Sequence, residues 1–298
     1  MKKSKHILSI IVAFFLTCTL NAQTNPSILD DKGQSCVYCV KDGQKHEHTN
    51  PYTINFRNEL PYFATGIGLL GSGLILKSNN EKEGFALNEV NQLNANNVNS
   101  FDRGAIFNNS SSARTISDYL LLGSLVFPAY FLTNHHTRKD FSPLLIMGLE
   151  VLIINNSLTI NAKYLFNRTR PSAYNTGFSD DARTSKDSRI SFFSGHTSQV
   201  AGFSVFAAKV MTDYHPNMKK GIKIGVWSFA LALPAVTGFL RVKGGKHFNT
   251  DVITGYAVGS IVGFLVPHLH KKKKLDSSLS LTPFNYDGAS GLSLTLKL

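Results

Sequence analysis

Three short stretches in the second half of the chain carry side chains suited to binding and attacking an anion with several oxygens. The first runs from Lys163 to Pro171 and holds Lys163 and Arg170 seven residues apart. Seven residues make two helical turns, so this spacing predicts both cations on one helix face, with Pro171 ending the helix. A guanidinium fork and a point-like ammonium group together suit a phosphate.

The second stretch, Ser194-Gly195-His196, opens an apolar segment. Backbone amides at the start of a helix bind anions, and the Ser194 hydroxyl adds another donor. His196 stands where it would protonate a leaving oxygen. Taken alone, Ser-Gly-His is more often a helix cap than a catalytic motif.

The third stretch runs from Arg241 to Asp251 and contains His247. His247 and Asp251 are four residues apart, so a helix would bring the carboxylate beside the imidazole. Asp251 would then keep one ring nitrogen protonated and leave the other as a nucleophile. A lone histidine is usually a packing or capping residue, but this pairing with a carboxylate and the upstream Arg241 favours chemistry.

The elements that must position these stretches are helical. Six apolar segments of helical length lie near 60–77, 115–133, 141–162, 192–212, 223–240 and 249–268. They predict an all-α bundle of about six helices that forms a domain over 58–275. The linker 78–114 is rich in Asn and Ser and is expected to be an exposed loop. The tail 276–298 alternates polar and apolar residues around Asp287-Gly288, which predicts a short hairpin, with a loosely ordered end as the alternative.

The N-terminal region predicts export. Three lysines precede an apolar run from Ile7 to Leu20, which is the layout of a signal peptide over 1–22. Leu20 is large for its position, so an uncleaved signal anchor stays open. The polar segment 23–57 is expected to be irregular and carries two cysteines and two histidines, Cys36, Cys39, His46 and His48. A local disulfide or redox pair is favoured there over a zinc site, because exported chains meet an oxidising environment.

The charge pattern bears on partners and on the membrane. The chain carries 31 Lys and Arg against 19 Asp and Glu, which suits anionic lipid or a phosphorylated substrate. Export and the lack of a nucleic-acid-binding motif argue against nucleic acid.

Two settings stay open, a membrane bundle with a periplasm-facing site and a soluble periplasmic bundle. Segments near 20 residues are long enough to span a bilayer, although some carry polar groups such as Glu150, and mean hydropathy is −0.04. Basic loops at 134–140, 209–223 and 271–274 would be cytoplasmic under the positive-inside rule. With a cleaved signal, that arrangement requires segment 60–77 not to cross fully.

Together the three stretches resemble the signature of the type 2 phosphatidic acid phosphatase superfamily, which includes class A acid phosphatases and vanadium haloperoxidases. That signature is Lys-x6-Arg-Pro, then Pro-Ser-Gly-His, then Ser-Arg-x5-His-x3-Asp. Here Phe193 replaces the motif proline and Leu240 the motif serine, and neither position supplies a catalytic group.

The resemblance implies a phosphatase that acts on a phosphate monoester or diphosphate, most readily of a lipid, through a phosphohistidine and without a metal or other cofactor. It implies that His247 attacks phosphorus, Asp251 orients it and His196 protonates the leaving group. The residues implied to bind phosphate are Lys163, Arg170, Ser194, Gly195 and Arg241. The alternatives are a soluble non-specific acid phosphatase acting on small esters, a vanadium haloperoxidase, and a binding protein without activity.

Overall fold

The structure, a computed structural model, describes residues 38–41, 44–47, 50–54, 56–126, 131, 135–272, 279–286 and 289–296. The chain divides into two compact units, Met1–Thr49 and Asn50–Leu298. In the first unit, strand β1 (Tyr38–Lys41) pairs antiparallel with β2 (Gln44–Glu47), so part of this segment is regular rather than irregular. The predicted signal peptide, Cys36 and His48 lie outside the described residues, so the disulfide and zinc interpretations stay predictions.

The second unit is built on six long helices, which confirms the predicted all-α bundle. They are α1 (Phe56–Asn80), α4 (Ser111–Val126), α6 (Phe141–Phe166), α9 (Gly195–Tyr214), α10 (Lys220–Lys243) and α11 (Asn249–His270). Shorter helices are α2 (Leu87–Asn91), α3 (Ser100–Arg103), α5 (His135–Arg138), α7 (Pro171–Tyr174) and α8 (Asp180–Thr184). Single 3-10 turns cover Ala95–Asn97, Gly104–Phe107 and Lys186–Arg189. The expected C-terminal hairpin is formed by β3 (Leu279–Tyr286) and β4 (Ala289–Leu296).

Helix α9 is the centre of the bundle, because every residue from Thr197 to Val210 is buried. Its closest neighbour is α11, and glycines on α11 allow the two backbones to touch. A Cβ atom on Gly259 would lie 2.0 Å from the carbonyl oxygen of Ser198. Small residues of this kind let helices approach closely, so this contact fixes the start of α9 against the middle of α11.

Within the described residues, four stretches are long and apolar enough to cross a membrane. They are Glu59–Asn80, Phe141–Tyr174, which contains α6 and α7, Lys220–Lys243 and Asn249–His270. Their outer faces expose large apolar side chains such as Ile67, Phe239 and Ile261, as a lipid-facing surface does.

Helix α1 extends beside α6 and is as long as the other candidate spans. Ser72 donates to the Asn161 side chain at 2.9 Å, and the Asn80 side chain donates to the carbonyl of Tyr164 at 3.2 Å. Segment 60–77 is therefore part of one continuous helix and is not a short re-entrant turn.

The linker 78–114 is folded, contrary to the expectation of an exposed loop. It contains α2, α3 and two 3-10 turns, and buries Val90, Asp102 and Ile106. Its asparagines cap these short elements. The Asn99 side chain, for example, accepts a hydrogen bond from the Asp102 amide at 3.0 Å. Asparagine is common both at helix caps and in loops, so composition alone did not distinguish a folded linker from an exposed loop.

Candidate active site

Four of the long helices contribute one end each to a common site. These ends are the C-terminal turns of α6 and α10 and the N-terminal turns of α9 and α11, with the connecting segments between them. All the residues singled out from the sequence lie on these ends or connections. They are Lys163, Arg170, Ser194, Gly195, His196, Arg241, His247 and Asp251.

Lys163 and Arg170 do not share a helix face, so that prediction was wrong. Helix α6 ends at Phe166, and Asn167 takes a left-handed conformation with φ of 43° that turns the chain. The segment up to Arg170 then lies alongside 188–191, and the Arg170 amide donates to the Ser188 carbonyl at 2.8 Å. Pro171 begins α7 instead of ending a helix, in keeping with the preference of proline for a first helical turn.

Arg170 is buried and held on several sides. Its Nε donates to the Asp187 carbonyl at 2.7 Å, and its Nη2 pairs with the Asp187 carboxylate at 2.9 Å. Nη1 donates to the Lys246 carbonyl at 3.0 Å and lies 3.4 Å from Nε2 of His247. Burial alone would raise the pKa of Asp187, but the charges of Arg170 and Lys163 outweigh it, so that pKa is lowered. A negative group thus already rests against the central cation.

His247 precedes α11 and is not on it, so the predicted shared helix with Asp251 was also wrong. The turn before it requires Gly245, which has φ of +68° and whose Cβ would lie 2.3 Å from the Asn108 carbonyl oxygen. Asp251 is the third residue of α11 and points back toward the turn. The two side chains still meet, with Nδ1 of His247 3.6 Å from Oδ2 of Asp251.

The electrostatics of the site keep the His247 imidazole neutral. Burial, followed by the positive charges of Arg170 and Arg241, holds the pKa of His247 well below its usual value. An unprotonated imidazole keeps a lone pair, which a nucleophile needs. This property follows from the surrounding cations and from burial, and the motif spacing does not report it.

Asp251 is fixed by groups that the sequence did not single out. Its Oδ2 accepts hydrogen bonds from Ser191 at 2.5 Å and from the Phe248 amide at 2.9 Å. Its Oδ1 pairs with Arg168 at 2.5 Å, and Arg168 also pairs with buried Asp102 at 2.7 Å. Arg168 belongs to the first motif, and considering every basic residue of that motif as a site residue would have identified it. Asp102 carried no signal because it lies in the linker 78–114.

His196 has a carboxylate partner of its own, Asp118 of α4. Nε2 of His196 lies 2.8 Å from Oδ1 of Asp118, and the same oxygen accepts a hydrogen bond from Arg241 at 3.2 Å. Burial lowers the pKa of His196, and the bond to Asp118 opposes that effect. Asp118 is far away in sequence, so no spacing pattern pointed to it.

Ser194 and Gly195 form the start of α9. Ser194 is its N-cap, and its amide donates to the Asp251 carbonyl at 3.0 Å. The Ser194 hydroxyl lies 3.0 Å from Oγ1 of Thr197. The first amides of a helix have no acceptor within it, so those that follow Ser194 are suited to bind an anion.

The arrangement is therefore a neutral histidine, a second histidine paired with a carboxylate, a helix N-terminus and several cations at one end of a helical bundle. This is the layout of a phosphoryl-transfer site that works by positioning and charge stabilisation. The chain belongs to the PAP2 superfamily, and the family model matches residues 142–275.

Two curated relatives carry phosphatase names. The chain is 31% identical to phosphatidylglycerophosphatase B of Bacillus subtilis over 158 residues, covering 53% of this chain and 71% of that one. It is 32% identical to lipid A 4'-phosphatase of Porphyromonas gingivalis over 143 residues, covering 46% of this chain and 55% of that one. The match thus spans little more than half the length of the second relative.

A solved structure is also similar, that of a transmembrane PAP2-type phosphatidylglycerolphosphate phosphatase from Bacillus subtilis. The match has a TM-score of 0.43 at 20% identity, and covers 71% of this chain and 98% of the other.

Proposed function

We propose that the protein is a membrane phosphatase that removes phosphate from a lipid monoester or diphosphate through a covalent intermediate on His247. One observation carries the proposal. The two nitrogens of the buried His247 ring face different partners, with Arg170 3.4 Å from Nε2 and Asp251 3.6 Å from Nδ1. This arrangement suits a nucleophile with an orienting carboxylate on one side and a phosphate ligand on the other.

In the first chemical step, Nε2 of His247 attacks phosphorus while the bond from phosphorus to the leaving oxygen breaks. A proton on Nδ1, directed at Asp251, leaves the Nε2 lone pair free for attack. Lys163, Arg170 and Arg241 neutralise the phosphoryl oxygens, together with the amides that follow Ser194. His196 gives its proton to the leaving oxygen, so the leaving group departs as a neutral hydroxyl.

In the second step, water attacks phosphorus and the bond to Nε2 breaks. His196, now neutral, takes a proton from that water, which restores its acidic form. Inorganic phosphate leaves and His247 returns to its starting state. One histidine thus serves as acid and then as base, and Asp118 supports the protonated form in both steps.

A phosphate on a lipid headgroup is the proposed substrate. The names of both relatives specify a phosphatase of a lipid, which supports this class. The exposed apolar faces of α10 and α11 would hold acyl chains near the site. The headgroup itself is not specified by any motif, so a panel of lipid phosphates and water-soluble esters is the proper assay.

We infer that the active site faces the periplasm. The opposite end of the bundle carries basic residues at the N-terminus of α10 and after α11, such as Lys219, Lys220 and Lys271. Lysines near spans favour the cytoplasmic side. Helix α1 begins at that same basic end, because the Thr53 amide donates to the His270 carbonyl at 2.9 Å. This placement would put residues 50–54 in the cytoplasm, whereas a signal peptide or a retained signal anchor at 7–20 would leave them outside, so the inferred orientation is at odds with the predicted export signal.

The proposal is tested by phosphate release from detergent-solubilised full-length protein with lipid phosphates. His247→Gln is expected to abolish release. His215→Gln, a histidine at the far end of α9, serves as the matched control and is expected to retain it. Activity that survives His247→Gln would overturn the mechanism. Peroxide-dependent halide oxidation with added vanadate, in place of phosphate release, would instead support the haloperoxidase alternative.

A further inference from the structure

A second cluster of chemically active side chains lies at the end of the bundle opposite the proposed active site. Glu59 on α1, Glu150 on α6 and His270 at the end of α11 are all buried. Nε2 of His270 lies 2.9 Å from Oε2 of Glu59 and 3.3 Å from Oε2 of Glu150. Asp251 and His270 are 19 residues apart on α11, so the cluster lies about 28 Å from the phosphate site along the helix axis.

Several of the oxygens in this cluster accept no hydrogen bond from the described residues. Both carboxylate oxygens of Glu150 and Oε1 of Glu59 are buried and make no hydrogen bond to any described residue. Buried carboxylate oxygens without donors are costly, and structures normally supply a cation, a proton or a hydrogen bond. The cluster is therefore incomplete as described by its protein atoms.

The imidazole of His270 is oriented as a ligand would be. Its Nδ1 lies 2.7 Å from the carbonyl oxygen of Val266 and donates its proton to that oxygen. In the neutral ring the lone pair is then on Nε2, the atom that faces both carboxylates. Metal-bound histidines commonly donate their other nitrogen to a carbonyl in this way.

The charge and the geometry of the cluster suit one divalent ion. Such an ion with neutral His270 cancels both carboxylate charges, whereas protons alone do so only if there are two, one on Nε2 and one on a carboxylate. Zinc bonds of about 2.0–2.2 Å to nitrogen and oxygen put tetrahedral ligands roughly 3.3–3.5 Å apart. The 3.3 Å distance to Glu150 matches that spacing, and the 2.9 Å distance to Glu59 is shorter and would have to lengthen slightly around an ion.

We propose that Glu59, Glu150 and His270 bind one divalent transition-metal ion that joins α1, α6 and α11. An imidazole with two carboxylates suits zinc or manganese better than magnesium or calcium. The ends of the unit meet here as well, because the Lys272 amide donates to the Pro51 carbonyl at 2.9 Å. The ion would therefore act as a structural clamp, and it takes no part in the reaction at His247.

The test uses the full chain, purified in detergent without a histidine tag and stripped with a chelator. Zinc is then titrated, with bound metal counted by mass spectrometry after gel filtration and the melting temperature recorded. The isosteric variants Glu150→Gln and Glu59→Gln remove one charge each at the cluster. Glu83→Gln, on a largely exposed side chain, is the matched control. Cys36→Ser with Cys39→Ser is a second control, which removes the two cysteines of the other candidate zinc site.

The expected result is one zinc per chain, with a raised melting temperature. Affinity is expected to fall at least tenfold in both cluster variants and to be retained in both controls. Zinc bound equally by Glu150→Gln would overturn the proposal, as would no binding by wild-type protein that elutes as a folded species. A variant that melts higher than wild type, with no zinc effect in either, would show a proton-sharing cluster instead.

Discussion

Asp118→Asn is the substitution that tests the proposed acid-base role of His196 most sharply. In wild-type protein, Oδ1 of Asp118 lies 2.8 Å from Nε2 of His196 and stabilises the imidazolium form. Asparagine keeps the size of the side chain but removes its charge. The bond to Asp118 opposes the effect of burial on the pKa of His196, so its loss lowers that pKa further.

The size of the effect follows from the exposure of the pair. A hydrogen bond to a charged group contributes about 1.5–3 kcal/mol when it is well buried. The Asp118 side chain is 61% exposed, so solvent screening reduces this to about 1 kcal/mol. At 1.36 kcal/mol per unit, the alkaline limb of the kcat profile is expected to move about 0.7 pH unit. His196 must be protonated to donate, and a lower pKa therefore moves that limb to lower pH.

The assay is phosphate release at saturating substrate across pH, with Asp181→Asn as a surface control of equal charge change. Near neutral pH, kcat of Asp118→Asn is expected to fall about fivefold, and at acid pH it should approach the wild-type value. The acid limb should not move, because His247 has no contact with Asp118. A uniform loss at every pH, or an unmoved alkaline limb, would refute the role of Asp118 as the partner of the acid.

Three further substitutions test the scaffold of the site. Arg168→Gln is expected to lower the free energy of unfolding by about 3 kcal/mol and kcat more than tenfold, because Asp251 and Asp102 lose their shared cation; an unchanged kcat in steady-state assays would contradict this. Asp187→Asn frees the Arg170 guanidinium, so the inhibition constant for inorganic phosphate is expected to fall up to about fivefold, and weaker inhibition would count against Arg170 as a phosphate ligand. Gly259→Ala is expected to cost about 3 kcal/mol in thermal melts, since its Cβ would meet the Ser198 carbonyl, whereas Gly123→Ala, with open space around it, should cost nothing.

The long helices could be predicted because their apolar segments are longer than strands usually are. All six segments contain a helix, and the bounds differ from the predicted ones by up to four residues, except at the end of 115–133, which lies outside the described residues. The linker 78–114 was harder, since its fold depends on buried contacts such as those of Val98 and Ile106 with Phe248, far along the chain. Such contacts leave no local pattern.

In the site, too, local sequence predicted some features, and contacts between distant parts of the chain determined the others. Residue types in the three motifs pointed to phosphate chemistry, and the structure brings those residues to one end of the bundle. The backbone between them was mispredicted at Asn167 and Gly245, because single residues in left-handed conformations replaced the expected helices. The partners Asp102 and Asp118 come from elements that pack against the site from elsewhere, so only the folded arrangement identifies them.

The central claim, a covalent phosphohistidine on His247, is tested most directly by the steric course at phosphorus. A phosphorothioate analogue of the substrate, made chiral with two oxygen isotopes, is hydrolysed in water of the third isotope, and the configuration of the released thiophosphate is determined. Attack by His247 followed by attack of water inverts phosphorus twice, so the account predicts overall retention. Inversion would mean that water attacks directly, and would contradict the intermediate.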